Sequence, residues 1–350
     1  MATERGATRV LVVDAMAQSR TWRPGPEVER TLRASAPPGW EVRMVQAPTI
    51  SDGDGPARPS DEALAAIADA EAYLGFGITP PLFRAASRLR WVHSAAAGVR
   101  GALFPEMVAS DVLLTNSAGI HAIPMAETVI GGLLFLMRGL HLARALQREA
   151  RWDKAPFVGA DSPLRELGDC RVLVVGAGGI GSEVAVRAAA FGARCTGIRK
   201  HPARGVPAGF SRVAGPEALD AELHEADVVV LAAPFTDETA ALLDARRLAL
   251  LPAGAYVVNV ARGALVDEPA LVEALREGRL GGAVLDVFAH EPLAAGSPLW
   301  QLPNVCITPH VSPVSPGRFW PRQLALFVDN WRRYQQGAPL RNLVDKRAGY

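Results

Sequence analysis

Short apolar runs recur along the chain, and most are followed by a stretch with helical spacing. Arg9–Asp14 (RVLVVD) is the first; Ala72–Phe76, Leu89–His93, Val112–Asn116, Val172–Val175, Arg194–Ile198, Val228–Ala232, Tyr256–Val260, Gly282–Val287 and Val305–Thr308 follow. Continuous rather than alternating apolar runs predict strands buried on both faces, and their alternation with helices predicts parallel sheets covered on both sides. Ser51–Ser60, rich in Pro, Gly and Asp, reads as a surface loop, and Asp61–Ala72 as helical. From Pro124 to about Arg151 the pattern predicts one long helix with Pro124 as its first residue. A final helix, about Arg322–Gln335, lies beyond the last strand. Two α/β lobes result; the last helix returns to the first of them if that lobe is discontinuous.

Only the second lobe carries a glycine-rich turn. Gly176-x-Gly178-x-x-Gly181 comes directly after the strand Val172–Val175 and opens a helix. In that context Gly176 permits the tight turn, Gly178 lets the backbone approach a pyrophosphate, and Gly181 lets helix pack on strand. The helix start, with Gly179 and Ile180, offers free N–H groups and a positive dipole end to phosphates. The next strand ends at Ile198-Arg199-Lys200-His201, with Arg199 18 residues past Gly181. A carboxylate about 20 residues on normally holds the ribose 2′-hydroxyl of NAD. Here no acidic residue stands in that run. Arg199 and Lys200 predict a site for a 2′-phosphate, hence NADP(H) in preference to NAD(H).

Three further strand ends carry chemistry: Asn259-Val-Ala-Arg262-Gly263, Asp286-Val-Phe-Ala-His-Glu291, and Thr308-Pro-His310. Parallel strands deliver their carboxyl ends to one edge, so an arginine, a carboxylate and a histidine converge there. Arginine binds a carboxylate in a bidentate fork. A histidine held by a carboxylate is favoured in its protonated form and can give a proton to a carbonyl oxygen.

Composition narrows the class. The 350 residues suffice for about two domains. Lys+Arg is 37 against Asp+Glu at 36, a net charge of +1, which argues against nucleic acid or an anionic membrane as the main partner. The three cysteines form no CxxC pair, so neither a disulfide framework nor a metal site is predicted. The first residues lack the apolar core of a signal peptide, and Val129–Met137 falls short of the ~20 residues that a membrane span needs. A soluble, cytoplasmic protein is expected.

The segments GAGGIG, NVARGALVDEPAL, AVLDVFAHEPL and NVCITPH, with WVHSAAAGV, NSAGIHAIPMAETVIGGLL and LAAPFTDETAALLD, resemble the D-isomer-specific 2-hydroxyacid dehydrogenase family, over about Ala72 to Tyr334. The resemblance implies an α/β protein of two Rossmann-like, doubly wound lobes, with a dinucleotide-binding domain (residues 112–311) inserted into a discontinuous flavodoxin-like substrate domain (residues 1–111 and 312–350). It implies that Arg262 binds the substrate carboxylate and keto oxygen, that His310 is the acid/base, and that Glu291 orients and charges it. Asp286 would hold the nicotinamide carboxamide. The backbone N–H groups of Ala97 and Gly98 would bind the substrate carboxylate, and Ala233, Pro234, Phe235, Val260 and Ala261 would line the cofactor. The helix from Pro124 resembles the family's dimer-forming arm, which implies a homodimer. The implied activity is hydride transfer between NADPH and a small 2-oxo acid, giving a D-2-hydroxy acid.

Three departures bear on the substrate. The family's AGVD reads Ala97-Gly98-Val99-Arg100, its AEH reads Ala126-Glu127-Thr128, and His310 is followed by Val-Ser-Pro-Val-Ser-Pro-Gly-Arg318 instead of small residues. Arg100 and Arg318 together predict a substrate with a second polar or anionic group, such as hydroxypyruvate or phosphonopyruvate. His93 and His121 are candidates to line the pocket. His141, His224 and His290 read as surface or packing residues, and Trp152 as packing. Two rivals remain. One is a nucleotide-sensing, corepressor-like binding protein of the same fold, against which stands the absence of an appended interaction domain. The other is a phosphite-type dehydrogenase, against which stands the absence of lysine from Ser94–Arg100.

Overall fold

The structure, a computed structural model, describes residues 8–17, 21–47, 58–159 and 162–349. Most of the expected Ser51–Ser60 loop lies outside them. The chain divides into two units, residues 1–120 with 314–350, and residues 121–313.

The first unit holds a parallel sheet of β1 (Arg9–Asp14), β2 (Trp40–Met44), β3 (Ala72–Gly75), β4 (Trp91–Ser94) and β5 (Leu113–Thr115), ordered β2-β1-β3-β4-β5. This is the flavodoxin-like order. The registers Val13↔Met44, Val13↔Leu74 and Leu74↔His93 run through its centre. The expected domain boundary at 111/112 would detach β5, which pairs with β4 through Val92↔Leu114. The break therefore falls after Ile120, and the second after Pro313.

The closing helix, Phe319–Gln335, belongs to this first unit and makes it discontinuous. Its buried residues Phe319, Trp320, Leu324, Phe327, Val328 and Trp331 recur at helical spacing and present one apolar stripe. Phe327 stacks on Trp91 of β4 with ring centroids 5.1 Å apart, and Trp331 meets Trp40 of β2 edge-on at 5.4 Å. Each such pair is worth about 0.5–1.5 kcal/mol beyond the area it buries. The Tyr334 hydroxyl donates to Glu71 (2.9 Å), which also pairs with Arg9, and the Arg9 guanidinium lies over the Trp40 ring at 4.4 Å.

The second unit holds a parallel sheet of β6 (Arg171–Val175), β7 (Arg194–Ile198), β8 (Arg212–Ala214), β9 (Val228–Leu231), β10 (Ala255–Asn259), β11 (Leu280–Leu285) and β12 (Val305–Ile307), ordered β12-β11-β10-β9-β6-β7-β8. That is the doubly wound dinucleotide order with one strand added at the end of the series. Both faces are buried. Leu173, Val229, Val257 and Leu285 point to one side, Val172, Val174, Val258 and Val284 to the other. The order reverses between β6 and β9, the switch point at which ligands of such sheets bind.

The long helix expected after Pro124 is two helices, Ala122–Met137 and Leu140–Arg148, bent by 67°. Gly139 at φ +65° makes the break, a conformation that ends α-helices cheaply only at glycine. Pro124 sits third in its helix, where its missing N–H still removes no helical bond. Among the described residues no single helix is long and apolar enough to cross a membrane. Trp152, expected to pack, is 90% exposed.

Candidate active site

The glycine turn sits at the switch point of the second sheet. Gly176 has φ +105°, and a Cβ there would lie 2.5 Å from Ala232 C and Ala233 N. The turn after β9 thus presses Ala233 against it. A Cβ on Gly181 would lie 2.2 Å from the Gly176 carbonyl oxygen, so helix Gly179–Ala190 starts close against the turn. Gly178 differs, since a Cβ there meets nothing within 4 Å. Its lack of a side chain serves no contact within the protein and leaves room for a group outside. Among the described residues, the N–H groups of Gly179, Ile180 and Gly181 have no acceptor outside the helix. Free donors above an open glycine are what a pyrophosphate requires, so the turn fits the dinucleotide.

At the end of β7, the Arg199 guanidinium donates to the carbonyls of Pro202 and Gly205 and braces that turn. Lys200 pairs with both oxygens of Glu238 at 2.9 Å. Glu238 comes from the turn after β9, 38 residues away in sequence. An acidic residue therefore does reach this point, though none stands in the local run. Pro234 is exposed, and Phe235 is half-buried in the same turn as Glu238.

The candidate constellation of arginine, carboxylate and histidine is built at the ends of three neighbouring strands. After β10, Asn259 shapes the turn. Its Nδ2 donates to Arg262 O (2.9 Å) and its Oδ1 accepts from Ala261 N (3.1 Å). Val260 and Ala261 are buried beneath, and half-buried Arg262 donates from Nη1 to Ala261 O at 2.7 Å. The next residue, Gly263, packs so closely that a Cβ would lie 1.9 Å from Phe288 C, which joins this turn to the one after β11. There the Phe288 N–H donates to Glu291 Oε1 (3.0 Å), leaving Oε2 for His310 Nδ1 at 2.8 Å. With Nδ1–H committed to the carboxylate, Nε2 is the nitrogen left to exchange a proton.

His310 has φ +51°, a conformation that side chains rarely adopt and that costs about 1–3 kcal/mol. Asp286, at the end of β11 and fully buried, holds it there. Its carbonyl accepts from His310 N (2.9 Å), and its carboxylate accepts from Thr308 Oγ1 (2.6 Å), Val311 N (2.9 Å) and Ser312 N (3.1 Å). The carboxylate expected to hold the nicotinamide carboxamide also clamps the histidine turn. Thr308 and Ser312 escaped the sequence reading, although the hydroxyl two residues before His310 was a visible signal.

Ala97, Gly98 and Arg100 belong to the first unit. The loop after β4 carries them, with Ala97 and Arg100 exposed. Arg318 is exposed at the start of the closing helix. His93 lines no pocket. It is fully buried between Trp91 and Phe327, with Nδ1 2.7 Å from Thr115 Oγ1, and burial pushes its pKa down to about 3. His121 begins the helix Ala122–Met137, its Nδ1 3.2 Å from Pro313 O. His224 and His290 are exposed. His141 is half-buried, 3.2 Å from Phe135 O. Among the described residues no cluster of His, Cys, Asp and Glu has the makings of a metal site.

A doubly wound sheet with an open glycine turn at its switch point is the architecture of a dinucleotide-binding domain, and here a His–carboxylate pair and an arginine stand at the same edge. Residues 130–312 match the NAD-binding domain of the D-isomer specific 2-hydroxyacid dehydrogenases. The chain is 34% identical over 282 residues to a glyoxylate/hydroxypyruvate reductase A of Escherichia fergusonii, covering 77% of this chain and 85% of that protein. It is 35% identical over 307 residues to a D-3-phosphoglycerate dehydrogenase of Mycobacterium tuberculosis, covering 86% of this chain and 52% of that one. The chain thus spans about half the length of the phosphoglycerate dehydrogenases it matches. Among solved structures, a D-isomer specific 2-hydroxyacid dehydrogenase from Xanthobacter autotrophicus, in complex with NADPH and MES, is 32% identical with a TM-score of 0.78, covering 98% of this chain and 100% of that one. The chain belongs to the D-isomer specific 2-hydroxyacid dehydrogenase family.

Proposed function

We propose that the protein reduces a small 2-oxo acid to the D-2-hydroxy acid, with NADPH preferred over NADH. The observation that carries the reading is the His310–Glu291 pair at 2.8 Å, on a turn clamped by Asp286 and next to the Arg262 turn. Bound along the glycine turn, the reduced dinucleotide supplies a hydride to the keto carbon. His310 holds at Nε2 the proton for the keto oxygen, and Glu291, bound to Nδ1, orients the ring. Arg262 offers its fork to the substrate carboxylate and to the charge that develops on the oxygen.

Arg199 and Lys200 at the end of β7 support NADPH, since a 2′-phosphate there meets two cations. The Xanthobacter structure contains NADPH, and a Sinorhizobium meliloti structure, 28% identical with a TM-score of 0.76 and covering 98% of this chain and 100% of that one, is of an NADPH-dependent glyoxylate/hydroxypyruvate reductase with NADP and sulfate. Exposed Arg100 and Arg318 favour a substrate with a second polar or anionic group, hydroxypyruvate or phosphonopyruvate among them. Exposed Trp152 and Val158, close after the bent arm, favour a homodimer through that segment.

The test is a panel of 2-oxo acids with NADPH and NADH, repeated on Arg199→Asp. The expected wild-type preference for NADPH is about 10- to 1000-fold, at ~1.4 kcal/mol per decade, and the variant shifts toward NADH. Equal use of both cofactors, or no shift in the variant, defeats the cofactor assignment. Preference for plain alkyl 2-oxo acids defeats the substrate assignment.

A further inference from the structure

The first unit contains a second set of free backbone donors. Among the described residues, the N–H groups of Ala97, Gly98 and Val99, consecutive in the loop after β4, have no acceptor. The loop faces this way because its carbonyls are held down. The Ala96 carbonyl accepts from Ser117 N (3.1 Å) and the Ala97 carbonyl from Asn116 Nδ2 (2.8 Å). With these two carbonyls fixed beneath, the N–H groups of Ala97 and Gly98, on the other side of the same peptides, are turned the opposite way, as an anion-binding concavity requires.

Asn116 is itself fixed. Its Oδ1 accepts from Ala118 N (3.1 Å), which sets the amide so that Nδ2 faces Ala97. The C-terminal segment then grips the backbone on both sides. Asn342 Nδ2 donates to Asn116 O (3.2 Å) and Ala118 O (2.8 Å), and Asn342 O accepts from Asn116 N (3.2 Å). Asn342 has φ +53°, a conformation that asparagine tolerates better than most residues. Thr115 and Leu343 form an antiparallel bridge beside it, and Val344 N donates to Leu114 O (2.8 Å). Below, the Ser117 hydroxyl donates to Ser94 O (2.7 Å), the residue at the foot of the loop.

We propose that Asn116, gripped by Asn342, is the positioning residue that sets the N–H groups of Ala97 and Gly98 for the carboxylate of the 2-oxo acid. The inference rests on the reading that this loop binds that carboxylate. Neither asparagine touches the reacting atoms. Their effect is on where the carboxylate sits, and a misplacement of about 1 Å costs up to ~10²-fold.

The experiment uses the whole chain with Asn116→Asp and Asn342→Gly. The first keeps the shape but replaces the donor at the Ala97 carbonyl by an acceptor; the second keeps the backbone conformation and its bond to Asn116 N and deletes the two side-chain bonds of the grip. Asn116→Asp raises KM for the 2-oxo acid about 10- to 100-fold with kcat within a few-fold, and Asn342→Gly raises it about 3- to 10-fold in the same way. The Kd for NADPH, read by fluorescence titration, stays at the wild-type value in both. Unchanged KM in both variants, or a fall in kcat without a rise in KM, overturns the proposal. Where Asn116→Asp fails to fold, Asn342→Gly decides alone. Comparing wild-type rates on a 2-oxo acid and its amide separates the two levels. If the amide is taken equally well, the carboxylate reading falls; if it is not, and the variants behave as wild type, only the role of Asn116 and Asn342 falls.

Discussion

Each sheet carries at its carboxyl edge a row of N–H groups with no acceptor among the described residues, and the two rows are made in opposite ways. In the second unit the row opens the helix Gly179–Ala190, and everything that shapes it is local. Gly176 takes φ +105° and Gly181 lies against the Gly176 carbonyl, five residues away. In the first unit the row is Ala97–Val99, whose one glycine, Gly98, takes no positive φ, and what shapes it comes from afar. Asn116 is 19 residues on, and Asn342 is 226 residues beyond Asn116. A backbone made permissive by glycine encodes its own shape, whereas an ordinary backbone needs partners to hold its carbonyls down. The shape of the first kind of site is written in adjacent letters; the shape of the second exists only after folding.

On the proposed function the chemistry lies with neither row, and that point is the easiest to break. His310→Ala removes the proposed proton donor and is expected to lower kcat by about 10²–10⁴-fold. Because His310 stands on a turn held by backbone bonds to Asp286, the variant keeps the fold and the affinity for dinucleotide. Steady-state rates and a fluorescence titration measure both. Arg262→Ala lowers kcat and raises KM together, as expected for a group that serves substrate and transition state alike. Near-normal turnover in His310→Ala removes the acid from the mechanism.

The two glycines of the second row separate shape from binding. Gly181→Ala forces a Cβ to within 2.2 Å of a backbone oxygen and costs about 1–3 kcal/mol of stability, read as a lower melting temperature. Gly178→Ala meets open space, so it melts as wild type does but binds dinucleotide about tenfold more weakly, a loss of ~1.4 kcal/mol. Equal loss of stability in both variants defeats the division of labour.

These contrasts explain what was legible in the sequence. The second sheet was readable almost whole, because its strands are apolar on both faces and its candidate site residues follow them within six positions. Its short edge strand β8, only three residues, gave no run long enough to see. The single helix expected after Pro124 failed at Gly139, where one left-handed residue outweighs an otherwise continuous apolar pattern. In the first unit β2 was missed because Glu41 and Arg43 break its apolar run. The motif containing Asn116 was visible, but its task was not, since that depends on the C-terminal segment. Glu238 escaped for the same reason, as its partner Lys200 lies on another strand end.

Beneath the first row lies a buried histidine, and it gives this unit a distinct acid response. His93 stays neutral in the fold, its pKa pushed down to about 3 by burial, and takes up a proton near pH 6.5 once unfolded. Between these values the unfolded chain binds the extra proton, so stability rises with pH and is lost on acidification. The slope is at most ~1.4 kcal/mol per pH unit. Urea unfolding at pH 7 and pH 5, on wild type and His93→Gln, reads it as a smaller acid loss in the variant. An identical pH dependence in the two proteins removes His93 as the cause.

The smallest expected effect concerns the charged end of the second row. Lys200 is bound by both oxygens of Glu238 at 2.9 Å, with both side chains half exposed or more. A 2′-phosphate reaching Lys200 competes with that carboxylate and is repelled by it. Glu238→Gln keeps the side chain's length and a weaker acceptor, and removes the charge. An exposed pair is worth about 0.2–1 kcal/mol, so kcat/KM with NADPH rises no more than about fivefold, while that with NADH, which has no 2′-phosphate, stays level. Salt sharpens the comparison. Exposed charges more than about 10 Å apart are screened at 0.1 M, and closer pairs weaken as ionic strength rises, so the gain shrinks toward unity. A gain that persists at high salt, or one shared equally by NADH, means that Glu238 acts on the shape of the turn after β9 and not through its charge on Lys200.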